Sequence, residues 1–190
     1  EMGISKTTIG LFSLVGLSYS LKFLWAPFID SLKIPFFTNY LGRRRSWIIL
    51  TQILLISSLI FLGYSNPSVD LRLTVVAAVL VAFFSASQDI VIDAFRVESL
   101  EKELYGAGAG MYVFGYRIGM LVAGAGALYL ATFYEWSIVY ILMSLLILIG
   151  SFTILFASEP EQSSLIDTQK KKNIFHWFNN SVINPFRDFM

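Results

Sequence analysis

The sequence predicts an all-α, polytopic membrane protein with five transmembrane helices, and three observations carry that reading. Of its 190 residues, 56% are apolar, 16% are aromatic and only 14% are charged, a balance far from that of soluble domains. Mean hydropathy is +0.67. The apolar residues also gather into runs of about 20, the length that crosses a bilayer as a helix.

The runs fall at 7–28, 47–64, 71–95, 106–132 and 137–157. The first carries Lys22, and the second begins just after the basic stretch GRRR at 42–45. The short connection SNPSVD separates it from the third, which contains "FFSASQDIVIDAFRVE" at 83–98. Seven glycines mark the fourth, among them Gly106, Gly110, Gly115 and Gly119. Paired at GxxxG spacing, these four suit close helix packing in lipid. After the short link FYEWS, the fifth run is apolar throughout.

Charge orients the spans. Lys33, Arg43, Arg44, Arg45, Arg96, Lys102, Lys170, Lys171, Lys172 and Arg187 fall on one side, against Lys6 and Arg72 on the other. The positive-inside rule places the first set in the cytoplasm and leaves the N-terminus of the chain outside. The chain divides at 157 into a transmembrane part, 1–157, and a cytoplasmic linker, 158–190, whose aromatic end resembles an interfacial helix leading toward a further span. It begins at Glu1 with neither an initiator methionine nor a cleavable leader, so a piece of a longer protein is expected.

Several functions are disfavoured. The net charge is +1 and the basic residues are not massed on one face, which offers nucleic acid no binding surface. Without cysteine there is no disulfide, thiolate metal site or cysteine nucleophile. The single histidine, His176, has no second ligand nearby, and no metal or cofactor is expected.

The charges within the spans point to chemistry. Lys22, Asp89, Asp93 and Arg117 stand where lipid would otherwise be, at a cost of roughly 2.5 to 3.5 kcal/mol each on insertion scales. They should therefore face a protein interior or a watery cavity. Asp89 and Asp93 are four residues apart and share a helical face, with Ser85 and Gln88 beside it. With the third span entering from outside, Asp89 lies a turn or two below the midplane, at the depth of Lys22, and Asp93 is one turn deeper. Arg117 falls near mid-membrane on the returning span, within expected reach of Asp89. Mutual neutralisation would explain such charges too, and Asp93 with Arg96 at i+3 fits an end-of-helix pair. An intramembrane aspartyl protease would place its acids on two helices, one in a Gly-x-Gly-Asp context, and that pattern is missing. Paired carboxylates on one helix beside an arginine suit ion or proton coupling better.

Four stretches together resemble the AmpG muropeptide permease group of the major facilitator superfamily: "TIGLFSLVGLSYSLKFLWAPFID", "LGRRRSWIILTQILL", "ASQDIVIDAF" and "GAGAGMYVFGYRIGMLVAGAGALYLA". The resemblance implies two six-helix bundles around a central cavity, the spans here being the second to sixth helices of the N-terminal bundle. The third span would line the cavity. A first helix and a C-terminal bundle would be missing, and alternating access needs both bundles. Asp30 with Gly42, Arg43, Arg44 and Arg45 would match the superfamily's cytoplasmic gate loop, joined by Arg96. Asp30 is followed by Ser31, and Gly106 is preceded by Tyr105, where the group usually has arginine. The implied function is import of N-acetylglucosaminyl-anhydro-N-acetylmuramyl peptides across the bacterial inner membrane for cell-wall recycling, driven by the proton gradient. Lys22, Gln88, Asp89, Asp93 and Arg117 would form the substrate or proton pathway, the partners being muropeptide, protons, the lipid bilayer and the missing bundle. Two rivals remain: an acetyl-coenzyme A transporter, whose group shares a related QDI...D helix, and a non-transporting scaffold derived from a transporter.

Overall fold

A computed structural model describes residues 6–160, except for the side chains of 6–9, 11, 12 and 14. The described residues are helical, with no strand among them. In order they form α1 (Lys6–Ser20), a 3₁₀ turn (Lys22–Leu24), α2 (Ala26–Ser31), α3 (Phe37–Leu41), α4 (Arg43–Tyr64) and α5 (Leu71–Ser99). A second 3₁₀ turn (Lys102–Leu104) leads into α6 (Tyr105–Leu121), a π-helical segment (Val122–Gly126), α7 (Ala127–Leu130) and α8 (Trp136–Phe156). Of the sequence reading of the tail, Lys170, Lys171, Lys172, His176, Arg187 and the interfacial segment lie outside the described residues.

Among the described residues, four helical stretches are long and apolar enough to cross a membrane: Arg43–Tyr64, Leu71–Ser99, Lys102–Leu130 and Trp136–Phe156. The first predicted span differs, because it is broken between α1 and α2. Pro27 sits in the first turn of α2. Lacking an N–H, it leaves the Phe23 carbonyl without its i+4 donor, and its ring crowds that carbonyl. The chain tightens there to a 3₁₀ turn, with Leu24 N–H bonded to Leu21 O at 2.9 Å, and Lys22 stands in the break.

Local chemistry sets the other ends. Asp70 caps α5, its carboxylate accepting from Leu73 N–H at 3.1 Å. Gly42 opens α4 at φ 88°, ψ 172°, a backbone region that is essentially glycine's alone.

α4 packs against both α5 and α8, while α1 and α2 lie along α5. The buried core of Ile29, Ile48, Val91 and Ile154 gathers where α2, α4, α5 and α8 meet, flanked by Trp25, Trp47 and Phe95. Along the α4–α8 seam, small and polar residues let the backbones approach. Ser151 Oγ donates to Gln52 Oε1 at 2.8 Å, and a Cβ added at Gly63 would stand 3.0 Å from Tyr140 Cβ.

The four glycines expected to pack helices, Gly106, Gly110, Gly115 and Gly119, face open space among the described residues. A Cβ added at Gly106, Gly110, Gly115 or Gly119 would meet nothing within 4 Å, so no described helix packs on them. Small-residue packing within this chain belongs to α4 and α8 instead, because α6 shares no extended packed face with another long helix.

Candidate functional site

Asp89 stands on α5 in the wall of a cavity of about 550 Å³. Tyr19 from α1, Leu55 from α4, Ser85, Gln88 and Ile92 from α5, and Tyr112 and Tyr116 from α6 complete the lining. Each carboxylate oxygen of Asp89 is held from a different element. Lys22 Nζ, in the break of the first span, donates to Oδ2 at 2.5 Å. Tyr112 Oη, on α6, donates to Oδ1 at 3.0 Å. The helix break therefore has a local consequence: it lets an ammonium reach an acid on the neighbouring helix.

Around this pair the wall is polar. Tyr19 Oη and Ser85 Oγ lie 2.7 Å apart, and Trp25 Nε1 donates to Ser87 Oγ at 3.0 Å. Gln88 Oε1 is buried and has no hydrogen-bond partner. A carbonyl oxygen left so is costly, and it belongs to a side chain that lines the cavity.

One turn along α5, Asp93 Oδ1 accepts from Arg96 Nη2 at 3.1 Å. The Arg96 guanidinium also lies over the Tyr112 ring, with Cζ 4.6 Å from the ring centroid. Of the residues expected in the pathway, the structure brings together Lys22, Gln88 and Asp89, with Asp93 adjoining through Arg96 and Tyr112. Arg117 does not join them. It is exposed, and no ion pair links it to a described carboxylate, so its expected approach to Asp89 is not found. Lys22 takes that place, because the break at Pro27 frees it from helical register.

A second cluster occupies the other expected region. Arg44 is buried and donates through Nη1 to Asp30 Oδ1 at 2.6 Å. Its other nitrogens grip Glu98 in a two-pronged pair, Nε to Oε2 at 2.9 Å and Nη2 to Oε1 at 2.5 Å, the geometry that guanidinium and carboxylate favour. Arg43 donates to the Asp30 carbonyl and lies 3.9 Å from Glu98 Oε1. Arg45 turns the other way, donating to the Ile154 and Leu155 carbonyls at 2.9 and 2.5 Å, in the last turn of α8. Glu159 completes an exchange of caps, accepting from the Arg44 and Arg45 backbone N–H groups at 2.7 and 3.1 Å. Its side chain closes over Gly42, where an added Cβ would stand 2.4 Å from Glu159 Cδ. Arg96, expected at the gate, does not touch this cluster but pairs with Asp93, as its i+3 spacing predicted, and lies over Tyr112.

Tyr112, Glu98 and Glu159 are the members of these two clusters that the sequence reading missed. Glu98 had a signal, standing two residues after Arg96 at the basic end of the third span. Tyr112 and Glu159 had none, since an aromatic in an apolar run and an acid in a polar tail are both ordinary. Among the described residues no group of three or more His, Asp or Glu is placed to hold a metal ion.

Comparison with known proteins gives the family. The chain is 42% identical over 187 residues to the anhydromuropeptide permease of Escherichia coli (strain K12), an alignment covering 98% of this chain and 36% of that protein. It is 38% identical over 194 residues to the "Putative transporter AmpG 4" of Rickettsia conorii, covering 100% of this chain and 45% of the relative. A third relative, the "Putative transporter AmpG 1" of Rickettsia bellii, is 43% identical over 146 residues, 77% of this chain and 36% of its own length. The chain thus spans between about a third and a half of these relatives. No solved structure matches it. The profile of the Major Facilitator Superfamily matches residues 1–189, and the chain belongs to that superfamily as part of a multi-pass membrane bundle.

Proposed function

We propose that this chain is part of a proton-coupled secondary transporter that imports muropeptides, N-acetylglucosaminyl-anhydro-N-acetylmuramyl peptides, across the bacterial inner membrane. The observation that carries the reading is Asp89, set in a cavity wall with one oxygen on Lys22 and the other on Tyr112. The pair is about a third exposed, and it is released when one partner is neutralised or another counter-ion arrives. A proton on Asp89 would do the first, and a carboxylate of the peptide moiety, taking Lys22, would do the second. Tyrosine rings and the open acceptor of Gln88 suit a sugar, which offers both hydroxyl donors and apolar faces. The names of the relatives support the substrate class, and they are permeases and transporters rather than enzymes.

The second cluster fits a gate. Arg43, Arg44, Asp30 and Glu98 join α2 and the start of α4 to the end of α5, and pairs of that kind hold a closed state until the helices move. The test is uptake by the full-length protein in membrane vesicles, with and without a proton gradient. Wild type should accumulate labelled N-acetylglucosaminyl-anhydro-N-acetylmuramyl tripeptide only with the gradient. Asp89→Asn should abolish accumulation, because its amide cannot carry the proton and leaves Lys22 without an anion, whereas Asp93→Asn should reduce it only in part. Near wild-type accumulation by Asp89→Asn would remove Asp89 from coupling, and transport of acetyl-coenzyme A in place of the muropeptide would change the substrate.

A further inference from the structure

Among the described residues, Tyr112 touches both charged pairs of the pathway region by different parts of its side chain. Its hydroxyl donates to Asp89 Oδ1 at 3.0 Å, while its ring face carries the Arg96 guanidinium at 4.6 Å. Arg96 in turn holds Asp93 at 3.1 Å, and Lys22 holds the other Asp89 oxygen at 2.5 Å. The result is one unbroken chain, Lys22, Asp89, Tyr112, Arg96 and Asp93, running from the break in the first span through α5 to α6. Both aspartates stand on α5, so their distance from each other is fixed by helical geometry. Tyr112, from α6, touches the Asp89 side by its hydroxyl and the Asp93–Arg96 side by its ring.

We propose that Tyr112 is a positioning residue that couples the state of Asp89 to the Asp93–Arg96 pair, an inference that rests on the transport reading above. An ionised carboxylate draws the phenol strongly, because hydrogen bonds to a charged acceptor are roughly twice as strong as neutral ones. When Asp89 gains a proton, that pull weakens, the ring is free to shift, and Arg96 loses the platform beneath its guanidinium. Tyr112 keeps its own proton throughout; it acts as a donor and not as a relay. The groups that face this chain are Tyr19 and Lys22 from the first span, Ser85, Gln88, Asp89, Asp93 and Arg96 from α5, and Tyr116 from α6, whereas α4 contributes only Leu55. Asp89 is therefore the charge in contact with the phenol hydroxyl, and Arg96 the charge in contact with the ring.

The experiment compares wild type, Tyr112→Phe and Tyr112→Leu in the full-length protein. Phenylalanine keeps the ring under Arg96 and removes the hydroxyl; leucine removes both. Labelled N-acetylglucosaminyl-anhydro-N-acetylmuramyl tripeptide is followed in two assays, gradient-driven accumulation across a range of pH and counterflow exchange, which moves substrate in both directions without net proton movement. Tyr112→Phe should lower accumulation about tenfold, the lower end of what loss of a hydrogen bond to a charged group gives, and displace its pH profile, with a distinctly smaller loss in counterflow. Tyr112→Leu should lose more accumulation than Tyr112→Phe. Wild-type accumulation and pH profile in Tyr112→Phe would overturn the inference, as would equal loss in both assays, which marks a residue that only holds substrate or the fold. If wild type exchanges and accumulates no muropeptide, the transport reading fails and the inference falls with it, an outcome told apart by the wild-type arm alone.

Discussion

At the scale of single residues, Gly42 shows how a loop can admit only one side chain. Its φ of 88° and ψ of 172° would cost another residue about 1 to 3 kcal/mol, and the Glu159 side chain already fills the space where a Cβ would go. Gly42→Ala should therefore lower the unfolding temperature of the purified full-length protein and loosen the Glu159 cap, since backbone and neighbour must both shift. An unchanged unfolding temperature would mean that the turn accommodates a side chain without strain. The glycine was legible in the sequence as part of GRRR, but its reason was not, because Glu159 lies 115 residues beyond Arg44. Asp89 and Asp93 were legible as a pair, since i and i+4 fixes a shared face. Their partners were only half legible: Arg96 followed from its own spacing, whereas Lys22 reaches Asp89 through a turn that helical periodicity does not describe.

At the scale of elements, apolar runs located α4, α5, the stretch from α6 through α7, and α8 to within a few residues, because a hydrocarbon core that takes about 20 helical residues to cross leaves few alternatives. The broken first span was written in Pro27, which sits inside an otherwise continuous run and ends regular hydrogen bonding there. Packing was harder to read. Seven glycines drew attention to the fourth span, yet the close approach within this chain falls between α4 and α8, at Gly63 and at the Gln52–Ser151 hydrogen bond. In lipid, composition alone does not separate a small residue that faces a helix from one that faces open space. Gly63→Val should part α4 from α8, because its Cβ would meet Tyr140 Cβ at 3.0 Å and the Ser137 carbonyl at 3.3 Å. The expected loss is about 1 to 3 kcal/mol, read as a lower unfolding temperature in detergent, while Gly115→Ala should change little unless a helix outside this chain packs on α6. Equal effects of the two substitutions would place the seam elsewhere.

At the scale of the whole molecule, the basic loops give the bundle its direction. We expect Asn66 and Tyr134 outside the cell and Arg44 and Lys102 in the cytoplasm, since basic residues resist translocation. Single cysteines at these four positions, introduced into a chain that has none, can be labelled with an impermeant thiol reagent in intact cells. Reaction at 66 and 134 alone supports this orientation; reaction at 102 inverts it. The exchange of caps between Glu159 and Arg45 adds a constraint in time. A ribosome delivers α4 to the membrane long before it has made residue 159. During that interval the first-turn amides of α4 lack the carboxylate that later accepts from Arg44 and Arg45, and the Arg45 side chain lacks the Ile154 and Leu155 carbonyls. The Glu159 and α8 contacts form only after α8 has been made, whereas the Asp30 and Glu98 pairs of Arg44 need only α5. The start of α4 is thus secured in two stages, first against α5 and last against the end of α8.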